Sequence, residues 1–169
     1  MNRMIAIKLI KNFFYSIENQ LTFALEDLDE KDYYTRVDDK TPAIGWMLGH
    51  IVISHDFIVN RSLLGNQQYL SKEITKTYST GSSGDVVGDY KPTQMLQDLK
   101  TINKIIVEQL ATKKDEWLEE MPLSTKGFPT HWLNKNNMKV IVFHINHALN
   151  HTGEILEIKR RMGKRVWGV

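Results

Sequence analysis

The amino-acid sequence predicts an all-α protein, a four-helix bundle formed by one domain over residues 1–169. Four segments have apolar residues at intervals of three and four positions, which is the period of a helix with one buried face. Polar stretches containing glycine or proline separate these segments, and few stretches show the strict alternation of strands. A chain of 169 residues is long enough for one core and short for two domains.

The first predicted helix runs from about Met4 to Leu28. Its inner face is marked by residues at helical spacing, namely Ile10, Phe14, Ile17, Leu21, Ala24 and Leu28. Its outer side also appears apolar in the sequence, through Ile7, Leu9, Phe13 and Phe23. Because unpaired apolar helix faces often form two-fold interfaces, this side predicts a homodimer.

The second predicted helix runs from about Pro42 to Leu64, with Thr41 as its N-cap and Pro42 at the first helical position. After it, residues 78–84 show no periodicity, which is typical of a functional lid or of a disordered loop. The connection is long enough to permit a crossover between the second and third helices.

The last two predicted helices run from about Thr93 to Glu120 and from about Asn137 to Met162. Pro92 opens the third helix, and Gly163 is a suitable C-cap for the fourth.

Composition excludes several classes of function. The 22 basic and 20 acidic residues nearly balance, which argues against binding to nucleic acid. No segment has the roughly 18 apolar residues of a membrane span and the N-terminus does not resemble a signal peptide, so we expect a soluble cytoplasmic protein. The chain has no cysteine, and any metal would therefore take nitrogen or oxygen ligands.

The fourth helix carries the clearest chemical signal. His144, His147 and His151 lie at positions i, i+3 and i+7, which places them on one stripe of a helix. A stripe of buried neutral imidazoles is difficult to satisfy by hydrogen bonds alone. The spacing of four between His147 and His151 is that of the two histidines of a zinc-binding helix, although Ala148 stands where a metalloprotease has its catalytic glutamate.

A third ligand is expected from another helix. On the second helix His50 shares the apolar side with Trp46, whereas His55 lies about 140° further around the helix, so His50 is the better candidate. Asp56 points elsewhere on the same helix and is expected to be solvated.

The segment with Trp46 and His50, together with His147, His151 and Gly153, resembles the DinB-like family of four-helix-bundle proteins. That family includes S-transferases that use bacillithiol or mycothiol. The resemblance implies that the three histidines of these segments bind a metal ion. Two positions depart from the family pattern, since Thr152 replaces the usual Arg and Glu154 the usual Gln.

Three neutral imidazoles leave a divalent ion its full charge, which can lower the pKa of a bound water to about 7 or stabilise a thiolate. Zn²⁺ is the default, and Ni²⁺ or Fe²⁺ would also suit these ligands. The sequence and the resemblance together predict a metal-dependent enzyme with a small-molecule substrate, either similar to a thiol S-transferase that uses a low-molecular-weight thiol or similar to a hydrolase. The alternative is a non-catalytic, metal-stabilised or ligand-binding homodimeric bundle.

Four further residues have predicted roles near the site. Glu154 could be the catalytic base or could orient His151. His144 could be a fourth ligand, a hydrogen-bond partner of the ligands or a core residue. His131 and Trp132 lie in the loop before the fourth helix and could cover the site, although Trp132 is better explained as a loop aromatic that covers the core.

Overall fold

The computed structural model describes residues 5–86, 88–128 and 133–166, and within these ranges it is helical without strands. The helices are α1 (Ile5–Ala24), α2 (Glu30–Tyr34), α3 (Ile44–Ser54), α4 (Lys72–Thr77), α5 (Pro92–Leu110) and α6 (Asn137–Arg161). A π-helical segment, His55–Leu63, continues α3, and a short 3₁₀ helix spans Asp115–Glu119. The four long elements confirm the predicted all-α bundle.

The packing of the bundle places α3 directly against α6. Helices α1 and α3 each pack against both α5 and α6, so α1 and α3 lie across the bundle from one another, as do α5 and α6. The centre is filled by side chains that are fully buried, such as Phe14, Leu48, Ile102 and Ile141. The contact between α3 and α6 is what can bring the histidines of these two helices together. Among the described residues, no helix is both long and apolar enough to cross a membrane.

Helix α1 buries the face that the sequence predicted, with one correction. Ile7 is only 1% exposed, so its predicted place on the outer side was wrong. It lies three residues before Ile10 and therefore continues the inner stripe. Leu9, Phe13 and Phe23 are exposed as expected, and the homodimer stays a prediction.

The third long helix is shorter than predicted, because α5 ends at Leu110 and not at Glu120. The six residues after Leu110 offer no apolar side chain larger than alanine, so further helix would bury little. Asp115 instead turns back to α1, where its carboxylate accepts hydrogen bonds from the backbone N–H groups of Ala6 and Ile7 at 3.3 and 3.1 Å. These N–H groups belong to the first turn of α1 and have no partner within that helix.

Helix α3 begins two residues later than predicted. Ala43 and not Thr41 is its N-cap residue, and the N–H of Ala43 donates to the carbonyl of Gly84 at 2.9 Å. Every residue of α3 is buried, because other elements surround it.

The change from α to π geometry after Ser54 alters where the following side chains point. His55 and Asp56 are both buried, so the prediction that Asp56 is solvated was wrong. Its carboxylate accepts hydrogen bonds from the backbone N–H groups of Tyr69 and Leu70 at 3.0 and 2.8 Å. A prediction with α-helical geometry could not include this change of register or the loop that folds over the segment.

Helix α6 follows the prediction closely. The Asn136 side chain accepts a hydrogen bond from the N–H of Lys139, and Gly163 has the positive φ of a helix-ending glycine.

Candidate metal centre

Three histidine side chains from two helices converge between α3 and α6. The Nε2 atom of His147 lies 3.1 Å from Nε2 of His50 and 3.2 Å from Nε2 of His151. One ring nitrogen from each histidine falls within 4.8 Å of the other two, and this group could hold a metal ion. They are the three residues that were predicted to be the metal ligands.

Two of the three imidazoles have a fixed tautomer. Nδ1 of His50 lies 2.7 Å from the carbonyl oxygen of Tyr78, and Nδ1 of His151 lies 2.7 Å from Oε2 of Glu154. A carbonyl and a carboxylate can only accept hydrogen bonds, so in each neutral ring Nδ1 carries the proton. The Nε2 atoms of His50 and His151 therefore present lone pairs to His147.

His147 cannot satisfy both of these lone pairs. Its own Nδ1 is buried and has no hydrogen-bond partner among the described residues. If Nε2 of His147 carries a proton, it can donate a good hydrogen bond to Nε2 of either His50 or His151, and the other lone pair stays without a donor. With the proton on Nδ1, three lone pairs converge with nothing between them. A cation among the three Nε2 atoms removes this conflict.

The spacing of these nitrogens fits a metal ion. Zinc–nitrogen distances of about 2.0–2.1 Å at tetrahedral angles place two ligand nitrogens about 3.3–3.4 Å apart. The observed separations of 3.1 and 3.2 Å are close to this value. Hydrogen bonds from Nδ1 to a carbonyl and to a carboxylate are also the usual means of orienting histidines that bind metal through Nε2.

Burial keeps the imidazoles of His50 and His147 neutral, as metal ligands must be. Loss of hydration, together with the neighbouring imidazoles of His151 and His50, lowers the pKa of His147 to about 3. Loss of hydration also lowers the pKa of His50, although its hydrogen bond to Tyr78 opposes that shift. The lone pairs of both residues therefore remain available below neutral pH.

The side chain of His50 is held on both sides. The Trp46 ring stacks on it with the ring centres 5.0 Å apart and the planes 6° from parallel. Trp46 is itself fixed by a hydrogen bond from Nε1 to Oγ of Ser82 at 2.8 Å. The family-like spacing of Trp46 and His50 thus has a physical role, because the indole sets the plane of the imidazole.

The loop that supplies Tyr78 packs closely against α3. A Cβ atom added to Gly49 would lie only 2.4 Å from Cδ1 of Tyr78, so the ring of Tyr78 occupies the space that a larger residue would fill. Tyr78 is fully buried. Residues 78–84, which the sequence left open between a lid and a disordered loop, thus contribute a backbone carbonyl and Ser82 to the support of the site.

A cavity of about 540 Å³ adjoins the histidines. His50 and His147 form part of its wall, and the remaining lining is largely apolar. Its other described lining residues are Ile53, Ser54, Phe57, Ile58, Thr75, Ser79, Thr80, Gly127 and Phe128. A small molecule in this cavity would lie beside two of the three histidines.

His144 and His55 form a separate pair. Nε2 of His144 lies 3.2 Å from Nδ1 of His55, and both rings are packed around Phe14. The predicted separation of about 140° between His50 and His55 led us to expect that they would not face the core equally, but both are buried and face different parts of it. His144 is not part of the group that could hold a metal, and the core role among its three alternatives matches this position.

The remaining predicted residues fall in different places. Glu154 contacts Nδ1 of His151, the nitrogen that points away from the converging Nε2 atoms, and its position favours orientation of the ring over the role of a base. Thr152 is buried, and its hydroxyl donates to the carbonyl of Ala148 within α6. His131 and Trp132 lie outside the described residues.

The fold and the site define a class of protein, an all-helical bundle with a three-histidine site between two of its long helices. Residues 14–155 match the DinB superfamily. Because this match covers most of the chain, the protein belongs to the DinB superfamily. No curated protein matches the chain.

Proposed function

We propose that this protein is a metal-dependent enzyme of the thiol S-transferase type, which joins a small thiol to an electrophilic small molecule. The observation that carries the proposal is the convergence of three Nε2 atoms beside an apolar cavity. His50, His147 and His151 would hold the metal ion. When bound, a divalent ion supplies positive charge that lowers the pKa of a thiol and leaves a coordination position open to a ligand.

The surrounding residues would keep this site rigid. Trp46 and the Tyr78 carbonyl fix the plane and the tautomer of His50, and Glu154 fixes those of His151. Preorganised ligands do not have to reorder when the ion or the substrate binds, which favours both affinity and rate. The apolar walls of the cavity would exclude water from the reacting thiolate.

The lining of the cavity favours transfer of a thiol over hydrolysis. Of the described residues that form its wall, none is a carboxylate or a lysine. Hydrolysis commonly uses such a group to move protons to and from water and the leaving group. A thiol has an ordinary pKa of about 8.5, so a nearby cation can produce the thiolate without a separate base.

The ligands limit which metal ions would suit the site. Three imidazoles suit Zn²⁺ best as a default, with Ni²⁺ and Fe²⁺ as the other candidates. None of these three metal ions needs a thiolate ligand from the protein, and the chain has no cysteine to supply one.

Turnover by the metal-loaded protein tests the proposal. The untagged protein would be given benzyl mercaptan and 1-chloro-2,4-dinitrobenzene, and the thioether product would be followed by its absorbance. We expect a rate above the uncatalysed reaction that is lost in His147→Ala and after treatment with a chelator. The test would then be repeated with other thiols and electrophiles. A protein that binds metal stoichiometrically but accelerates none of these reactions would contradict the proposal.

A structural role for the metal is the second candidate, because the three histidines join α3 to α6. In that case removal of the metal would lower the thermal stability strongly, and no thiol would be consumed.

A further inference from the structure

A second cavity opens beside the one at the histidines. It has a volume of about 930 Å³ and lies between the π-helical segment, the loop after it and α4. Phe57, Thr75 and Ser79 line both cavities, so the two share part of their walls. A ligand long enough to pass these residues could occupy both.

The charge of this outer cavity differs from that of the inner one. Arg61, Lys72 and Lys76 line it, and no acidic residue is among its described lining residues. The nearest acidic group along the π-helical segment, Asp56, is fully buried and its carboxylate is occupied by backbone N–H groups of the loop. The outer cavity therefore offers positive charge, whereas none of the described residues that line the inner cavity carries a permanent charge.

Arg61 lines the outer cavity and contacts Phe57, which lines both cavities. Its guanidinium lies 5.5 Å from the centre of the Phe57 ring, and Nη1 donates to Oε1 of Gln68 at 3.2 Å. These contacts restrict the side chain, although it remains exposed and has donors left for a ligand. A planar guanidinium of this kind suits a carboxylate, which it can bind with two hydrogen bonds.

We propose that Arg61, Lys72 and Lys76 form a subsite for the carboxylate end of a ligand whose uncharged end lies in the inner cavity beside His50 and His147. The inference rests on the proposed function, because it assigns the substrate class of that site. The ligand would be a small amphipathic anion, apolar at the end that reaches the histidines and acidic at the other.

Two matched thiols test the subsite on the cobalt-loaded protein. The carboxylate 6-mercaptohexanoate and the neutral 6-mercaptohexanamide differ mainly in charge at the far end, and coordination of either sulfur to Co²⁺ gives a charge-transfer absorption. We expect the carboxylate to bind about 10-fold more tightly at low ionic strength, as exposed ion pairs allow. This preference should shrink as added salt screens the charges.

A matched pair of variants assigns the effect to the cavity. Lys72→Gln/Lys76→Gln should reduce the preference to about 2-fold and leave the Kd of the amide unchanged, because only the exposed pair with the carboxylate is lost. Lys100→Gln/Lys104→Gln removes the same charge from the exposed side of α5 and should retain the preference. Equal binding of the two thiols by the unmodified protein, or an equal loss in both variants, would overturn the proposal.

A failure of metal binding can be distinguished from a failure of the carboxylate subsite. If Co²⁺ produces no spectrum of a histidine-bound ion, the proposed function fails. The subsite is then measured on the metal-free protein by NMR titration with hexanoate and hexanamide. Shifts at Lys72 and Lys76 with hexanoate alone would support the subsite, and their absence would overturn it.

Discussion

Nε2 of His50 lies 3.1 Å from Nε2 of His147, although 97 positions separate the two residues in the chain. Both nitrogens would repel one another if they carried only lone pairs, and one of them faces a third nitrogen from His151. A proton on Nε2 of His147 could satisfy only one of these two contacts, whereas a cation among the three Nε2 atoms would satisfy both. The two residues also form part of the wall of a largely apolar cavity, which would give a ligand access to a metal ion bound there.

Substitutions of Glu154 can show whether this residue orients His151 or acts as a catalytic base. Glu154→Ala removes the acceptor for Nδ1 of His151 and should weaken metal binding by about 10- to 100-fold. Glu154→Gln keeps an acceptor oxygen and should retain most of the affinity. Competition with a chelating dye measures both, with Glu157→Gln on the exposed next turn as the control. If Glu154→Gln kept the metal but lost turnover, the carboxylate would act as a base.

Replacement of glycine by alanine should have opposite effects on stability at positions 49 and 153. Gly49→Ala places a methyl group against the Tyr78 ring and should cost about 1–3 kcal/mol of stability. It should also weaken metal binding, since the Tyr78 carbonyl orients His50. Gly153→Ala has open space around its new Cβ and should stabilise α6 by up to about 1 kcal/mol without changing the site. Thermal unfolding and metal titration of both variants measure these effects, and equal behaviour of the two would contradict the close packing of Tyr78.

The site could be predicted from the sequence where residue type and spacing carry the signal. The spacing of His147 and His151 indicates a ligand pair, and the position of His50 beside Trp46 on an apolar helix indicates its partner. The limits of α6 could also be predicted, since Asn136 and Gly163 are typical of helix ends.

Other features could not be predicted because they depend on tertiary contacts. The acceptor at Tyr78 is a backbone carbonyl, which any residue type provides, and its loop has no periodic pattern. The burial of Asp56 depends on π geometry and on a loop that folds back over it. The end of α5 depends in part on the contact of Asp115 with α1, more than 100 positions away.

The stability of the metal-free protein should fall as the pH decreases below about 6.5. Burial lowers the pKa of His55 to about 4 and that of His147 to about 3, and it lowers the pKa of His144 well below its usual range. In the unfolded chain these residues take up protons near pH 6.5, so acid favours unfolding. Each adds a slope of up to about 1.4 kcal/mol per pH unit until its folded pKa is reached.

Urea unfolding between neutral pH and about pH 5 measures this slope. His144→Leu should reduce the slope by the contribution of about one proton, up to about 1.4 kcal/mol per pH unit. It should change the stability at neutral pH only slightly, because it also removes a buried Nδ1 that has no hydrogen-bond partner among the described residues. A stability that does not depend on pH in this range would contradict the buried neutral histidines.

The homodimer predicted from the outer side of α1 can be measured directly. Leu9 and Phe13 are exposed there, and covering them in a dimer would remove apolar surface from water. Light scattering at micromolar concentration should give the mass of two chains, and Phe13→Lys should shift it toward one. A mass of one chain for the unmodified protein would contradict the prediction.

Elemental analysis of the untagged protein tests the central claim most directly. The site predicts about one divalent metal ion per chain, as for other sites with three protein ligands. His147→Ala removes the imidazole that both other ligands face and should lose the ion, whereas His144→Leu should keep it. A content below about 0.2 ions per chain after incubation with Zn²⁺, Ni²⁺ and Fe²⁺ in turn, or an unchanged content in His147→Ala, would contradict a metal centre at these histidines.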